Sequence, residues 1–306
     1  ILQQPDFSAE ILTREKNRII SGLEESATQP ESIASKTYMQ LLYGNHPYAL
    51  EESGEIVTVS AFKREDLMQF YQQHYGANGA VIALMGDLTR EQANDIAESI
   101  SKQLPKSAKP KSIAGVTYPT QATEKRITHP ASQSHILLGY PGIKRGDSDY
   151  YPLYVGNYIL GGGGFVSRLT EEVREKRGLV YSVYSYFMPM AEIGPFQIGL
   201  QTKKEQSAEA LKVVQTTLND FIEKGVTEAE LKAAKQNIVG GFPMRLDSNA
   251  KILDYLAMIG FYKLPSTYLQ EFSQKVNAVT VAQIKEAFKR RIDPSKFVTV
   301  VVGASE

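Results

Sequence analysis

The sequence predicts an α+β fold of the α/β sandwich type, in which a duplicated domain forms a mixed, largely antiparallel sheet covered mainly on one side by helices. The first observation is an internal repeat, because residues 59–86 align without a gap with residues 276–303. A repeated unit of domain size indicates two copies of one domain and is too long for a solenoid. The second observation is the order of elements, since apolar strands and hairpins alternate with amphipathic helices.

The two copies differ in extent. Residues 121–225 precede the repeated half of the second copy, whereas the first copy starts almost directly with that half. We therefore expect residues 1–105 to be the C-terminal half of a first domain and residues 121–306 to be a complete second domain. Residues 106–120, rich in proline, lysine and serine without periodicity, are predicted to be a linker. Either a half-domain has been lost or the polypeptide is a fragment of a longer chain.

The first copy is predicted to contain helices and a single strand. In chain order these are helices over residues 12–25 and 32–42, a helix with Leu67, Phe70 and Tyr71 on one face, the apolar strand 81–85, and a helix capped by Thr89 and Gln92. The strand corresponds to residues 298–302 of the second copy but has no partner strands in its own copy. We therefore expect exposed apolar surface, with self-association into a homo-oligomer or stability that depends on a partner.

The second copy is predicted to alternate strands and helices. In chain order these are strands within residues 127–142, a helix that ends in the glycine run 161–164, a short helix over residues 167–178, strands within 179–189 and 195–202, a helix with Leu211, Val214, Leu218, Phe221 and Ile222, and a helix capped by Thr227 and Glu230. The two later strands form a hairpin around Ile193 and Gly194.

Composition narrows the classes of function. The balance of 34 basic and 34 acidic residues gives no electrostatic footprint for nucleic acid. The absence of cysteine excludes disulfides, thiolate zinc ligands and a cysteine nucleophile. No stretch approaches the roughly 18 apolar residues of a membrane span, so none is predicted.

Familiar catalytic motifs are not found in this sequence. No two of the four histidines stand four residues apart, which excludes HExxH and HxxEH; they are His46, His74, His129 and His135. We interpret each as a hydrogen-bonded or helix-terminal side chain. The glycine run 161–164 follows a helix, and no lysine of a phosphate loop comes after it. We therefore interpret it as a tight reversal before a helix capped by Ser167.

Arg174 and Tyr181 form the most informative pair. Arg174 lies in the last turn of the helix that Gly178 ends, and Tyr181 opens the next strand, so the connection brings a cation and a phenol to one edge. Both groups donate hydrogen bonds to carbonyl oxygens. From the spacing alone, we favour a surface arginine and a packed tyrosine over a binding pair.

Four segments carry a resemblance to a known family. LGGGGFVSRLTEEVREKRGLVYSVYSY, followed downstream by EAELKAAKQNIVGGFPMRLDSN, resembles the second domain of the M16 family of zinc peptidases, which includes the processing peptidases and insulysin. The earlier EILTREKNRIISGLEE and LYGNHPYAL resemble the latter half of that family's first domain. The resemblance covers nearly the whole chain. It implies that Arg174 and Tyr181 bind the substrate backbone across a closed chamber.

The resemblance also places a zinc ligand in this chain, and the residue found there is Gly22. In the family this ligand is a glutamate seven residues after an upstream acid, which matches Glu15. Glycine has no side chain to bind zinc. Glu24 and Glu25 are close in sequence but are rotated by roughly 200° or 300° around a helix. The resemblance therefore implies no metal and no catalytic residue in this chain, although an active peptidase with a displaced glutamate stays open.

The resemblance implies a non-catalytic, substrate-binding subunit of a zinc-dependent, bacterial two-chain M16 peptidase. The expected partners are a zinc-bearing M16 chain, which supplies the metal, and an extended peptide that adds to a sheet edge. The chain alone is expected to be inactive. The alternative is a structural or assembly subunit that kept the fold without any role in proteolysis. A bacterial periplasmic location is suggested only by the resemblance, with the cytoplasm as the other option.

Overall fold

A computed structural model describes residues 2–108 and 111–303, so positions 109 and 110 of the predicted linker lie outside the described residues. The helices are α1 (Ala9–Ser26), α2 (Pro30–Tyr43), α3 (Ile56–Ala61), α4 (Arg64–His74), α5 (Arg90–Ser101), α6 (Tyr150–Asn157), α7 (Ser207–Lys224), α8 (Glu228–Gly241), α9 (Asn249–Phe261), α10 (Tyr268–Ala278) and α11 (Val281–Arg291). The strands are β1 (Thr123–Ile127), β2 (Gln133–Pro141), β3 (Val180–Phe187), β4 (Pro195–Lys203) and β5 (Val298–Val302). The predicted α+β class is confirmed.

The chain packs into two compact units. The first unit contains Ile1–Ala27, Glu51–Ser112 and Pro243–Ser266, and the second unit contains Thr28–Leu50, Ile113–Phe242 and Thr267–Glu306. The domain boundaries predicted from the sequence rest on the internal repeat, whereas these units are defined by which residues pack together in space. The clearest difference is α2, which belongs to the first copy in sequence and to the second unit in space.

The second unit is built on a five-stranded mixed sheet in the order β1-β5-β2-β4-β3. Strand β1 is parallel to β5, and the other neighbouring pairs are antiparallel. The predicted hairpin of β3 and β4 is confirmed. On one face of the sheet, Phe196 of β4 contacts Phe288 of α11, whose ring lies 4.8 Å from that of Phe221 on α7.

Helix α2 covers part of the opposite face of this sheet. Its Tyr38 and Leu42 are buried with Leu137 of β2 and with valines of β5. Close approach depends on Gly139, where an added Cβ would lie 2.4 Å from the Tyr38 hydroxyl oxygen. That hydroxyl donates a hydrogen bond to the Phe196 carbonyl oxygen at 3.1 Å. Burial of this apolar face of α2 explains why the helix packs with the sheet.

The predicted strand over residues 81–85 is not formed, and that prediction is wrong for this structure. A strand needs a hydrogen-bonded neighbour, and none of the described residues pairs with this segment. Its side chains Val81, Ile82 and Met85 are exposed. The corresponding strand β5 is instead held between β1 and β2, and all five of its residues are buried.

The predicted helix starts at residues 89 and 227 are confirmed. The Thr89 hydroxyl accepts from the Gln92 backbone N–H, and the Thr227 hydroxyl accepts from the Glu230 N–H, each at 3.2 Å. Both helices therefore begin with reciprocal capping boxes. No helix among the described residues is both long and apolar enough to span a bilayer.

Candidate functional site

Arg174 is held at the end of a short helical segment in the second unit. The segment Thr170–Glu175 has π-helical hydrogen bonding, a geometry that is frequent at functional sites. Gly178 ends the turn with a φ of 62°, a left-handed conformation that favours glycine. Its N–H donates to the Arg174 carbonyl oxygen at 2.7 Å. The chain then reverses directly into β3, which carries Tyr181.

Tyr181 is the extra residue of a β-bulge. Val180 pairs with Thr202 and Ser182 pairs with Gln201, so Tyr181 has no partner in the ladder with β4. A bulge disturbs the regular alternation of side chains and redirects the bulged residue. Tyr181 is accordingly 80% exposed rather than packed on the sheet.

The Arg174 guanidinium lies between two aromatic rings. Its Cζ atom is 5.6 Å from the ring centroid of Tyr181 and 4.8 Å from that of Phe165. The arginine side chain is 31% exposed and forms one ion pair within the described part of the chain, with Glu175 at 3.7 Å. No residue that the structure describes forms a hydrogen bond with the Tyr181 hydroxyl. The predicted proximity of Arg174 and Tyr181 is observed, and their role in substrate binding stays a prediction.

The glycine run positions Phe165 through close packing. An added Cβ on Gly161 would lie 2.4 Å from the Ser185 hydroxyl oxygen, and one on Gly162 would lie 2.8 Å from the Asn157 side-chain nitrogen. The same addition to Gly163 would meet the Tyr158 carbonyl oxygen at 2.7 Å. These close contacts explain why glycine is needed at these positions, and they agree with the interpretation of the glycine run as a tight reversal. Sequence reasoning missed Phe165, for which a bulky apolar residue after four glycines was the available signal.

Arg168 anchors the segment that connects Phe165 to Arg174. Its guanidinium donates to both Glu230 carboxylate oxygens, at 2.6 and 2.8 Å, and to the Gly225 carbonyl oxygen at 2.9 Å. Hydrogen bonds from Arg168, ahead of those from Thr227, lower the pKa of the Glu230 carboxyl to about 2. Sequence reasoning assigned Glu230 a capping role only, because nothing local links positions 168 and 230.

The position expected to bind zinc offers no ligand. Gly22 lies within α1, and a Cβ added there would meet no atom within 4 Å. Glu15 accepts hydrogen bonds from Arg18 and Arg14, which lower its pKa and hold its carboxylate in ion pairs. Across residues 2–108 and 111–303, no group of three or more His, Cys, Asp or Glu side chains is placed to hold a metal ion. The residues present at this position therefore do not fit a zinc site.

Two of the four histidines, His46 and His129, make hydrogen bonds with the backbone of loop residues. His46 Nδ1 accepts from the Tyr48 N–H while its Nε2 lies 2.8 Å from the Ala114 carbonyl oxygen. His129 makes the same kind of contacts with Ala131 and with Thr28.

The mixed sheet, the adjacent Arg174 and Tyr181 and the glycine at position 22 agree with the fold of an inactive peptidase domain. The family described as "Peptidase M16 inactive domain" matches residues 61–238, and the chain belongs to this M16 family. A solved M16 inactive domain from Pseudomonas fluorescens is 40% identical, with a TM-score of 0.96, and the match covers 100% of this chain and 73% of that one.

Relatives of similar sequence carry different descriptions. A Helicobacter pylori protein named non-peptidase homolog YmxG is 27% identical over 99% of this chain and 70% of its own length. A Bacillus subtilis protein named uncharacterized zinc protease YmxG is 28% identical over 91% of this chain and 67% of its own length. The periplasmic protease PqqL of Escherichia coli shares the fold, with a TM-score of 0.75 at 15% identity, over 97% of this chain and 33% of that one.

Proposed function

We propose that this chain is the non-catalytic, substrate-binding subunit of a two-chain M16-type peptidase and acts with a zinc-bearing partner chain. The observation that carries the proposal is the adjacent pair of donors, the half-buried Arg174 guanidinium beside the exposed Tyr181 phenol. The glycine at position 22 supports a zinc site in the partner chain, because the residue at the ligand position of this chain cannot bind zinc.

Arg174 and Tyr181 suit the backbone of an extended peptide. Such a peptide repeats every 3.2–3.4 Å or so and presents carbonyl oxygens that accept from guanidinium and phenol groups. A hydrogen bond from a charged donor contributes about 1.5–3 kcal/mol. The turn at Gly178 and the bulge at Tyr181 fix the two donors before the peptide arrives. The pair therefore orients the peptide for a reaction whose metal chemistry belongs to the partner chain.

The test is reconstitution with a zinc-bearing M16 chain from the same genome. Arg174→Ala and Tyr181→Phe should each lower kcat/KM by about tenfold or more, which corresponds to about 1.4 kcal/mol of transition-state stabilisation. Assembly measured by size-exclusion chromatography should not change, because neither side chain is part of the core. Arg126→Ala is the matched control, since this half-exposed arginine forms a surface ion pair with Glu124 of the same strand, β1. Unchanged kinetics in both site variants would contradict the proposal.

A structural or assembly subunit is the second candidate. It is favoured by the exposed apolar side chains of residues 81–85 in the first unit, which suit contact with another chain. This candidate predicts that the two chains assemble and that Arg174→Ala leaves hydrolysis unchanged. A bacterial periplasmic location is likewise a proposal, and it is tested by cell fractionation with an antibody against the chain.

A further inference from the structure

Phe165 and Val166 place two consecutive apolar side chains on the surface of the second unit. Phe165 is 73% exposed and Val166 is 72% exposed. Single exposed apolar residues are ordinary on protein surfaces. These two adjoin each other on one turn, and the Phe165 ring also contacts the Arg174 guanidinium. The apolar surface is therefore continuous with the proposed peptide-binding pair.

The turn that carries Phe165 and Val166 is stabilised by hydrogen bonds from Ser167. The Gly164 carbonyl oxygen accepts from the Ser167 N–H at 3.1 Å and from the Ser167 hydroxyl at 2.8 Å. Ser167 is fully buried, and its hydroxyl also lies 3.0 Å from that of Thr170. The exposure of the two apolar side chains is thus a property of a fixed turn.

Phe165, Arg174 and Tyr181 form a row in which a hydrogen-bond donor lies between two rings. One side of the Phe165 ring contacts the guanidinium, and most of the rest of the side chain faces solvent. In an extended peptide, a carbonyl and the adjacent side chain are separated by about one residue, or roughly 3.3 Å along the strand. A peptide carbonyl on Arg174 therefore brings a neighbouring side chain within reach of Phe165. The few residues that dominate binding energies at interfaces are enriched in arginine, tyrosine and tryptophan.

We propose that Phe165 and Val166 form a specificity-determining apolar subsite for a large hydrophobic side chain, aromatic or long aliphatic, of the bound peptide. The proposal rests on the proposed function and adds a preference that backbone hydrogen bonds do not supply. Arg174 and Tyr181 recognise the main chain of any sequence, whereas Phe165 and Val166 distinguish residues by the apolar area they bury.

The experiment measures binding of two fluorescein-labelled extended peptides that are identical except for phenylalanine or alanine at one central position. Fluorescence anisotropy with the whole 306-residue chain is expected to show about tenfold tighter binding of the phenylalanine peptide. Phe165→Ala should reduce this preference to about twofold and leave the alanine peptide nearly unaffected, and Phe165→Leu should retain most of it. Arg174→Ala should weaken both peptides equally. Phe261→Ala, which truncates an exposed phenylalanine of the first unit, is the matched control.

The outcomes separate the subsite from the proposed function. If Arg174→Ala weakens both peptides but Phe165→Ala leaves the preference intact, the subsite is wrong and the proposed function stands. A uniform loss for both peptides with Phe165→Ala would make this residue a support for Arg174 and would also overturn the subsite. If Arg174→Ala changes neither affinity, or if the wild-type chain binds neither peptide, both proposals are contradicted.

Discussion

The ion pair between Arg168 and Glu230 offers a direct test of how the site is supported. Arg168 lies between Phe165 and Arg174 in sequence and ties this segment to the start of α8. Glu230→Gln keeps the shape of the side chain and removes its charge. The variant should destabilise the second unit and loosen the segment that carries the site.

The magnitude follows from the pKa of Glu230, which falls from 4.5 to about 2 in the folded chain. At about 1.36 kcal/mol for each pKa unit, the shift corresponds to roughly 3 kcal/mol as an upper limit. The Glu230 side chain is 31% exposed, so solvent screening lowers the expected loss to about 1–2 kcal/mol. Because the folded pKa is depressed, this stabilisation is fully present above pH 4.5 and is lost as the pH falls towards 2.

Urea unfolding followed by circular dichroism measures this effect. The difference in unfolding free energy between wild type and Glu230→Gln should be about 1–2 kcal/mol at pH 7 and should shrink by roughly half at pH 3. Glu228→Gln is the matched control, because Glu228 is an exposed acid in the first turn of the same helix; its loss should stay below about 0.5 kcal/mol. Equal losses for the two variants, or a loss independent of pH, would show that the Arg168–Glu230 ion pair does not stabilise the second unit.

Three further predictions concern the metal, the glycine run and the first unit. After dialysis the chain should hold no stoichiometric zinc and cleave no quenched peptide alone; metal analysis showing near one zinc per chain with chelator-sensitive turnover would contradict this. Gly161→Ala should lower the unfolding free energy by about 1–3 kcal/mol because its Cβ meets Ser185, whereas Gly240→Ala, with open space around it, should be neutral or stabilising by up to about 1 kcal/mol. In a version extended upstream to the length of its relatives, residues 81–85 should gain protection from hydrogen exchange, and self-association should fall; unchanged exchange would refute the half-domain prediction.

Local patterns predicted much of the fold. The capping boxes at residues 89 and 227 depend on residues three apart, and the hairpin of β3 and β4 depends on adjacent strands. The proximity of Arg174 and Tyr181 depends on a single turn ended by Gly178. Each of these features is encoded within a short segment, and for this reason the sequence was sufficient.

Features that depend on distant residues were not predicted. The apolar run 81–85 resembles a buried strand, but a strand forms only where a second one supplies hydrogen bonds. Helix α2 packs its apolar face against the sheet of the second unit. The internal repeat does not reveal this packing. The bulge at Tyr181 arises from the register with Thr202 and Gln201, and the pairing of Arg168 with Glu230 joins segments far apart in sequence.

We propose that this chain contributes substrate binding to a peptidase whose metal lies in another chain. The most direct test is kcat/KM of the reconstituted pair when the chain carries Arg174→Ala and Tyr181→Phe together. We expect a loss of about tenfold or more, with the affinity between the two chains unchanged. A double variant that supports hydrolysis at the wild-type rate would contradict it.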